Sequence, residues 1–160
     1  VDVIISNATL QWVPRHRGLL PALVDVLSPH GWLAFQVPGN FGEPSHQLLR
    51  QLAADPRYAL TLTEVAWPSS ADAASYLADL AGLGCSVDAW ETTYLHVLTG
   101  PNPVLRWISG TGARPVLQAL PDDLRAQFIA EYQELLNAAY SAREHGTVLP
   151  FRRIFVVASR

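Results

Sequence analysis

The sequence predicts an α/β fold built on a parallel sheet, and three observations carry that prediction. Val3 to Ser6 is a continuous, largely β-branched apolar run, the pattern of a strand covered on both faces. Leu19, Leu20, Leu23, Val24 and Leu27 then recur at helical spacing and form one apolar stripe. The turn Ser28-Pro29-His30-Gly31 ends that helix and leads into a second apolar run, Trp32 to Val37. Strand, helix and strand with short connections make a βαβ unit, in which the right-handed crossover renders the two strands parallel.

Within the first crossover, Pro14 stands near the expected helix start, while Pro21 interrupts its early turns. The loop Pro38-Gly39-Asn40-Phe41-Gly42-Glu43-Pro44 follows the second strand, then a helix over about Ser45 to Ala54 and an irregular stretch from Asp55 to Ser70, broken at Trp67-Pro68. Asp72 to Leu80 reads as a short helix. Val87 to Leu98 reads as a long strand with Trp90, Thr92, Tyr94 and His96 on one side, because side chains two apart share a face. A helical block is expected from Pro103 to Leu120. The next helix runs from Pro121 to roughly Arg143, with Leu124, Phe128, Tyr132, Leu135, Leu136 and Ala139 facing inward. Pro121, Asp122 and Asp123 suit its start, the two aspartates as helix-start charges and nothing more. Phe151 to Ala158 is the last strand.

At 160 residues and 49% apolar composition the chain is one ordinary domain with enough material for a core. A net charge of −3 and scattered basic residues leave no electrostatic footprint for nucleic acid or an anionic membrane. Apolar runs are too short to span a bilayer and the N-terminus has no signal-peptide layout, so a cytoplasmic protein is expected. The single cysteine, Cys85, excludes an internal disulfide and is expected to be a buried, inert thiol. No methionine is present and the chain opens inside a strand, which suggests the C-terminal piece of a longer protein. All 11 basic residues are arginine, so any anion is held by arginine, backbone or histidine.

Neither Gly-x-Gly stretch, at Gly82 or at Gly110, has a third glycine or sits between a strand and a helix, so neither is a nucleotide loop. Hydrolase and metal-ligand spacings are absent. What remains is the end of the first strand, Ser6-Asn7-Ala8, because open parallel sheets bind ligands beyond the carboxyl ends of their strands. Asn7 either caps a turn there or faces a ligand; Gln11 and Trp12 either pack at a helix entry or form a wall against that ligand. Arg15, His16 and Arg17 read as a solvated basic cluster, and Trp67 and Trp107 as core.

Five stretches together carry a resemblance: Asp2 to Pro14 (DVIISNATLQWVP), Leu27 to His46 (LSPHGWLAFQVPGNFGEPSH), Gly84 to Gly100 (GCSVDAWETTYLHVLTG), Thr111 to Leu120 (TGARPVLQAL) and Phe151 to Arg160 (FRRIFVVASR). The chain resembles, over nearly its whole length, the trans-aconitate 2-methyltransferases, which use S-adenosylmethionine. The resemblance implies a Rossmann-like methyltransferase fold of which residues 1–160 are the C-terminal half, strands four to seven, with an inserted helical lid at about 99–146. The glycine-rich loop and the ribose-binding acidic residue of that fold are then expected outside this sequence, and the last two long strands as an antiparallel pair. It also implies transfer of a methyl group to a carboxylate of a small polycarboxylic acid, with Ser6, Asn7 and Ala8 meeting the methionine end of the cofactor. Gln11, Trp12, Tyr94, His96, Arg114 and Arg153 are the implied acceptor-side residues. Arg152 competes with Arg153, since adjacent strand residues face opposite ways. A homo-oligomer, or dependence on the absent half, is the implied assembly. A different small-molecule acceptor, and a non-catalytic fragment that self-associates through a strand edge, stay open beside it.

Overall fold

The computed structural model describes residues 1–160 and contains β1 (Val3–Asn7), α1 (Leu20–Asp25), β2 (Trp32–Pro38), α2 (Pro44–Ala53), α3 (Pro56–Ala59), α4 (Ala73–Ala81), β3 (Ser86–Leu98), α5 (Pro103–Ser109), α6 (Arg114–Ala119), α7 (Asp122–Ala139), β4 (Ala142–Arg143) and β5 (Gly146–Ser159). The sheet order is β1-β2-β5-β3, with β4 paired to β5. As the crossover argument requires, β1 and β2 are parallel, with Val3 opposite Trp32 and Asn7 opposite Gln36. Strand β5 runs antiparallel to β2, Gln36 opposite Phe155 and Pro38 opposite Arg153. The expected pair of final long strands are sheet neighbours.

The chain divides into two compact units. The first holds Val1–Asn40, Pro68–Tyr94 and Phe151–Arg160. Its core is made by Leu20, Val24 and Leu27 with Leu33, Phe35 and Val37 of β2, Ile154, Val156 and Ala158 of β5, and Tyr76 and Leu80 of α4. Two expectations change here. The first crossover is not one long helix: Leu10–Trp12 and His16–Leu19 are 3₁₀ turns, and the α-helix begins at Leu20 with Pro21 in its first turn, where a missing N–H costs nothing. Nor is β1 covered on both faces. Paired residues of neighbouring strands share a face, and Val3, Ile5 and Trp32, on one such face, are 55%, 77% and 49% exposed. The buried apolar residues of β2, with Ile154, Val156 and Ala158 of β5, lie in the single core cluster that also holds the α1 and α4 side chains.

The second unit holds Phe41–Trp67 and Leu95–Pro150. Its core gathers Leu49 and Leu52 of α2, Val104, Leu105 and Ile108 of α5, Val116 of α6, and Phe128, Tyr132 and Leu136 of α7. The buried stripe of α7 is spaced strictly four apart, so Leu135 and Ala139, expected inside, turn outward. Trp107 packs against this core as expected, whereas Trp67, in the irregular stretch between α3 and α4, is 39% exposed. The Pro103 to Leu120 block is two helices, because Gly110, Thr111 and Gly112 break it. Tyr132 donates from its buried hydroxyl to the Ser45 carbonyl at 2.6 Å and so ties α7 to the start of α2.

Gly112 faces the buried ring of His46: a Cβ at this position would lie 2.6 Å from His46 Nε2. The Gly112→Ala variant is therefore expected to lose about 1–3 kcal/mol of stability by overpacking, read as a lower urea midpoint. An unchanged midpoint would mean that the ring has room to move.

Candidate functional site

The carboxyl ends of β1 and β2 gather most of the candidate residues of the first unit. The backbone of Ala8 lies in the left-handed region, φ 50°, and its N–H still reaches the Gln36 carbonyl at 2.9 Å, so the ladder extends one residue past β1 before the chain turns off. The turn is closed by the Thr9 hydroxyl donating to the Asn7 carbonyl at 3.2 Å. The Asn7 side chain, left out of that closure, stands exposed at the strand end, with Ser6 half-buried behind it.

Gln11 folds back over this end. Its Nε2 donates to the Ala8 carbonyl at 2.6 Å, while its Oε1 is buried without a partner. Trp12 is 41% exposed beside it. The loop after Trp67 is stitched onto the same place: the Ser69 N–H donates to the Gln11 carbonyl at 3.0 Å, and the Ser70 hydroxyl to the Pro38 carbonyl at 2.7 Å. Asn40, just past β2, is buried with its Oδ1 unpartnered.

The two adjacent arginines of β5 separate by role. Arg152 donates from Nε to the Gly39 carbonyl at 2.9 Å and from Nη1 to Glu91 at 3.0 Å, so it pins the loop after β2 and carries a carboxylate partner already. Arg153 donates from Nη1 to Gln36 Oε1 at 3.1 Å and lies over two rings, 5.1 Å from the Phe151 centroid and 5.9 Å from that of Tyr94. No ion pair engages Arg153, in contrast to Arg17 with Asp79 and Arg152 with Glu91. Further along the same face Trp90 stacks on Phe155.

His96 and Arg114 lie in the second unit. The ring of His96 sits 4.7 Å from that of Trp107, and Arg114 opens α6 at the exposed edge of a cavity of about 490 Å³ shared with Ser109, Gln118 and Arg125. The basic cluster departs from its expectation: His16 is 3% exposed and its Nε2 lies 2.6 Å from the Tyr76 hydroxyl. Burial pushes the His16 pKa down from its ordinary value. Arg17 forms a two-bond pair with Asp79, at 2.6 and 2.7 Å, and Arg15 alone is left to solvent. Sequence reasoning passed over Gln36 and Asn40. The signal for Gln36 was present, an amide inside the otherwise apolar run Trp32 to Val37, since a buried amide needs partners.

No group of three or more His, Cys, Asp or Glu side chains is arranged to hold a metal ion, and no helix is long and apolar enough to cross a membrane. Cys85 is buried and unpaired.

No protein-family model matches the chain. Individual relatives do. It is 54% identical over 161 residues to a trans-aconitate 2-methyltransferase of Streptomyces avermitilis, covering 99% of this chain and 60% of the relative. A Streptomyces coelicolor protein of the same name is 51% identical, covering 99% and 54%, and one of Mycolicibacterium gilvum 52%, covering 98% and 63%. The chain thus spans between 54% and 63% of the length of these relatives. Identity near one half along the full run of these 160 residues makes the chain similar, over nearly all of its length, to part of the trans-aconitate 2-methyltransferases, and its mixed sheet, with β1 and β2 parallel and β5 antiparallel to β2, agrees with the α/β, Rossmann-like arrangement expected from the sequence.

Proposed function

We propose that the chain is the acceptor-binding part of an S-adenosylmethionine-dependent carboxyl methyltransferase that converts a small polycarboxylic acid of the trans-aconitate kind to its monomethyl ester. The observation that carries this reading is the half-identity to trans-aconitate 2-methyltransferases along 99% of the chain. When bound, S-adenosylmethionine supplies an activated methyl group on a sulfonium centre. The residues past the ends of β1 and β2 fit its methionine portion, because an ammonium brings donors and Gln11 Oε1 and Asn40 Oδ1 are buried acceptors without partners. Ser6, Asn7 and Ala8 would hold that portion, with Gln11 and Trp12 as the wall toward the acceptor. A single buried cysteine fits a reducing, cytoplasmic setting.

A carboxylate with a pKa near ~4 is ionised at neutral pH, so the transfer needs no general base. Its residues contribute alignment and charge. Arg153, braced by Gln36 and two aromatic faces and free of an internal carboxylate, is suited to take a non-reacting carboxylate of the acceptor by its planar fork. Tyr94 stands beside it as a hydroxyl donor. His96, in β3, and Arg114, at the start of α6, are proposed as further acceptor contacts.

The test is mass spectrometry of trans-aconitate incubated with S-adenosylmethionine and the protein, run on this chain and on the same chain joined to the segment of the Streptomyces avermitilis relative that it does not span. A product heavier by one methylene and labile to base is expected from the joined form. Absence of ester from both forms, with several polycarboxylates tried, overturns the reading.

The exposed apolar face of β1 and β2 favours a second reading, that the 160-residue chain alone is non-catalytic and pairs with another copy of itself. Light scattering during size-exclusion chromatography is expected to give a mass near twice that of the chain if this holds. A clean monomer sinks it.

A further inference from the structure

We infer that Gln36 is the residue that fixes carboxylate specificity at this site, by holding Arg153 with a neutral amide and so leaving the guanidinium charge uncompensated for an incoming acid; the inference rests on the reading that Arg153 meets the acceptor. Arginine has donors only, so the atom facing Arg153 Nη1 at 3.1 Å is the amide oxygen, and the orientation of the Gln36 side chain follows. Its Nε2 then points away, buried and without a partner, in a residue only 6% exposed. A buried donor left idle is unfavourable, and a glutamate here would remove it while giving Arg153 an ion pair of the same reach. Arg17 and Arg152 in the same unit have such pairs. Arg153 instead has an amide and the faces of Phe151 and Tyr94, all neutral groups that orient a cation without cancelling its charge.

Gln36 acts through Arg153 and is a positioning residue. Structure alone would make Gln36→Glu harmless or stabilising; the inference predicts the opposite for binding. Calorimetric titration of trans-aconitate into this chain, as wild type, Gln36→Glu, Gln36→Met and Arg153→Ala, reads the effect. Gln36→Glu is expected to weaken the acid at least 10-fold with an unchanged melting temperature, and Gln36→Met by a few fold, since it removes the brace and adds no charge. Wild type that binds no polycarboxylate, or Gln36→Glu that binds within twofold of wild type, overturns the inference. If Gln36→Glu fails to fold, Gln36→Met alone decides, and unaltered affinity there overturns it equally. The two readings fail separately. Ester formation with an acceptor KM indifferent to Gln36→Glu removes this inference and keeps the methyltransferase; acid binding that follows the pattern with no ester formed removes the methyltransferase and keeps the carboxylate site.

Discussion

On the proposed function, replacing Arg153 by alanine is expected to raise the acceptor KM by about 100-fold, a loss of ~2.7 kcal/mol, in keeping with the ~1.5–3 kcal/mol of a hydrogen bond to a charged group. S-adenosylmethionine affinity should be nearly unaffected. The effect falls on KM more than on kcat, because a non-reacting carboxylate is bound alike in the ground and transition states. Arg152→Ala, one residue away, is the internal control. Its guanidinium is already committed to the Gly39 carbonyl and Glu91, so this change should cost about 1–3 kcal/mol of stability, with a KM within a few fold of wild type once folded. Steady-state kinetics with trans-aconitate varied, beside urea melts, separates the two. A large KM effect at 152 and none at 153 would reverse the assignment of the pair.

How much of this could be read in the sequence differs by element. The parallel pair Val3–Asn7 and Trp32–Pro38 was legible because a β-branched run, an apolar stripe and a Pro-Gly turn agree on one topology. The first crossover was half legible: its apolar stripe was right, but two 3₁₀ turns occupy what periodicity alone reads as helix, since periodicity does not distinguish a tight turn from the start of an α-helix. The exposure of Val3 and Ile5 was not legible, because burial of a strand face depends on which elements lie over it and these are not encoded in the strand. His16 was misread for a related reason. Its arginine neighbours look solvated, and only the position of Tyr76, 60 residues on, makes it a core group. At the site, alternation on β5 established that one of Arg152 and Arg153 faces each way, and the side-chain partners that distinguish them, Gly39, Glu91 and Gln36, come from other strands and loops.

Mild acid is expected to destabilise the helical unit well before its carboxylates titrate. His46 is 8% exposed, edge-on to the Phe41 ring and within 3.3 Å of the Ser45 hydroxyl, and burial first and the charge of Arg50 second push its pKa down to about 4 from 6.5. A histidine that resists protonation when folded takes up its proton more readily when unfolded, so the unfolded state binds more protons at any pH between the two values. Stability is then fully present above pH 6.5 and falls as pH drops toward 4, by at most ~3 kcal/mol at ~1.4 kcal/mol per pKa unit. His16, depressed by burial in the other unit, acts in the same direction there. The carboxylates held low by arginine, Asp55 and Glu131 by Arg57 and Asp79 by Arg17, lose their contribution only as pH falls below their ordinary values of 3.8 to 4.5, so the histidine window lies above theirs. Urea midpoints at pH 7.5, 6, 5 and 4.5 should therefore decline for wild type. In His46→Gln, which cannot titrate, the slope across this window should flatten even though the starting stability is lower. Equal slopes in the two proteins would show that the buried ring is not the group being protonated, and an NMR titration of the His46 ring gives the same answer directly, by whether its midpoint lies far below 6.5.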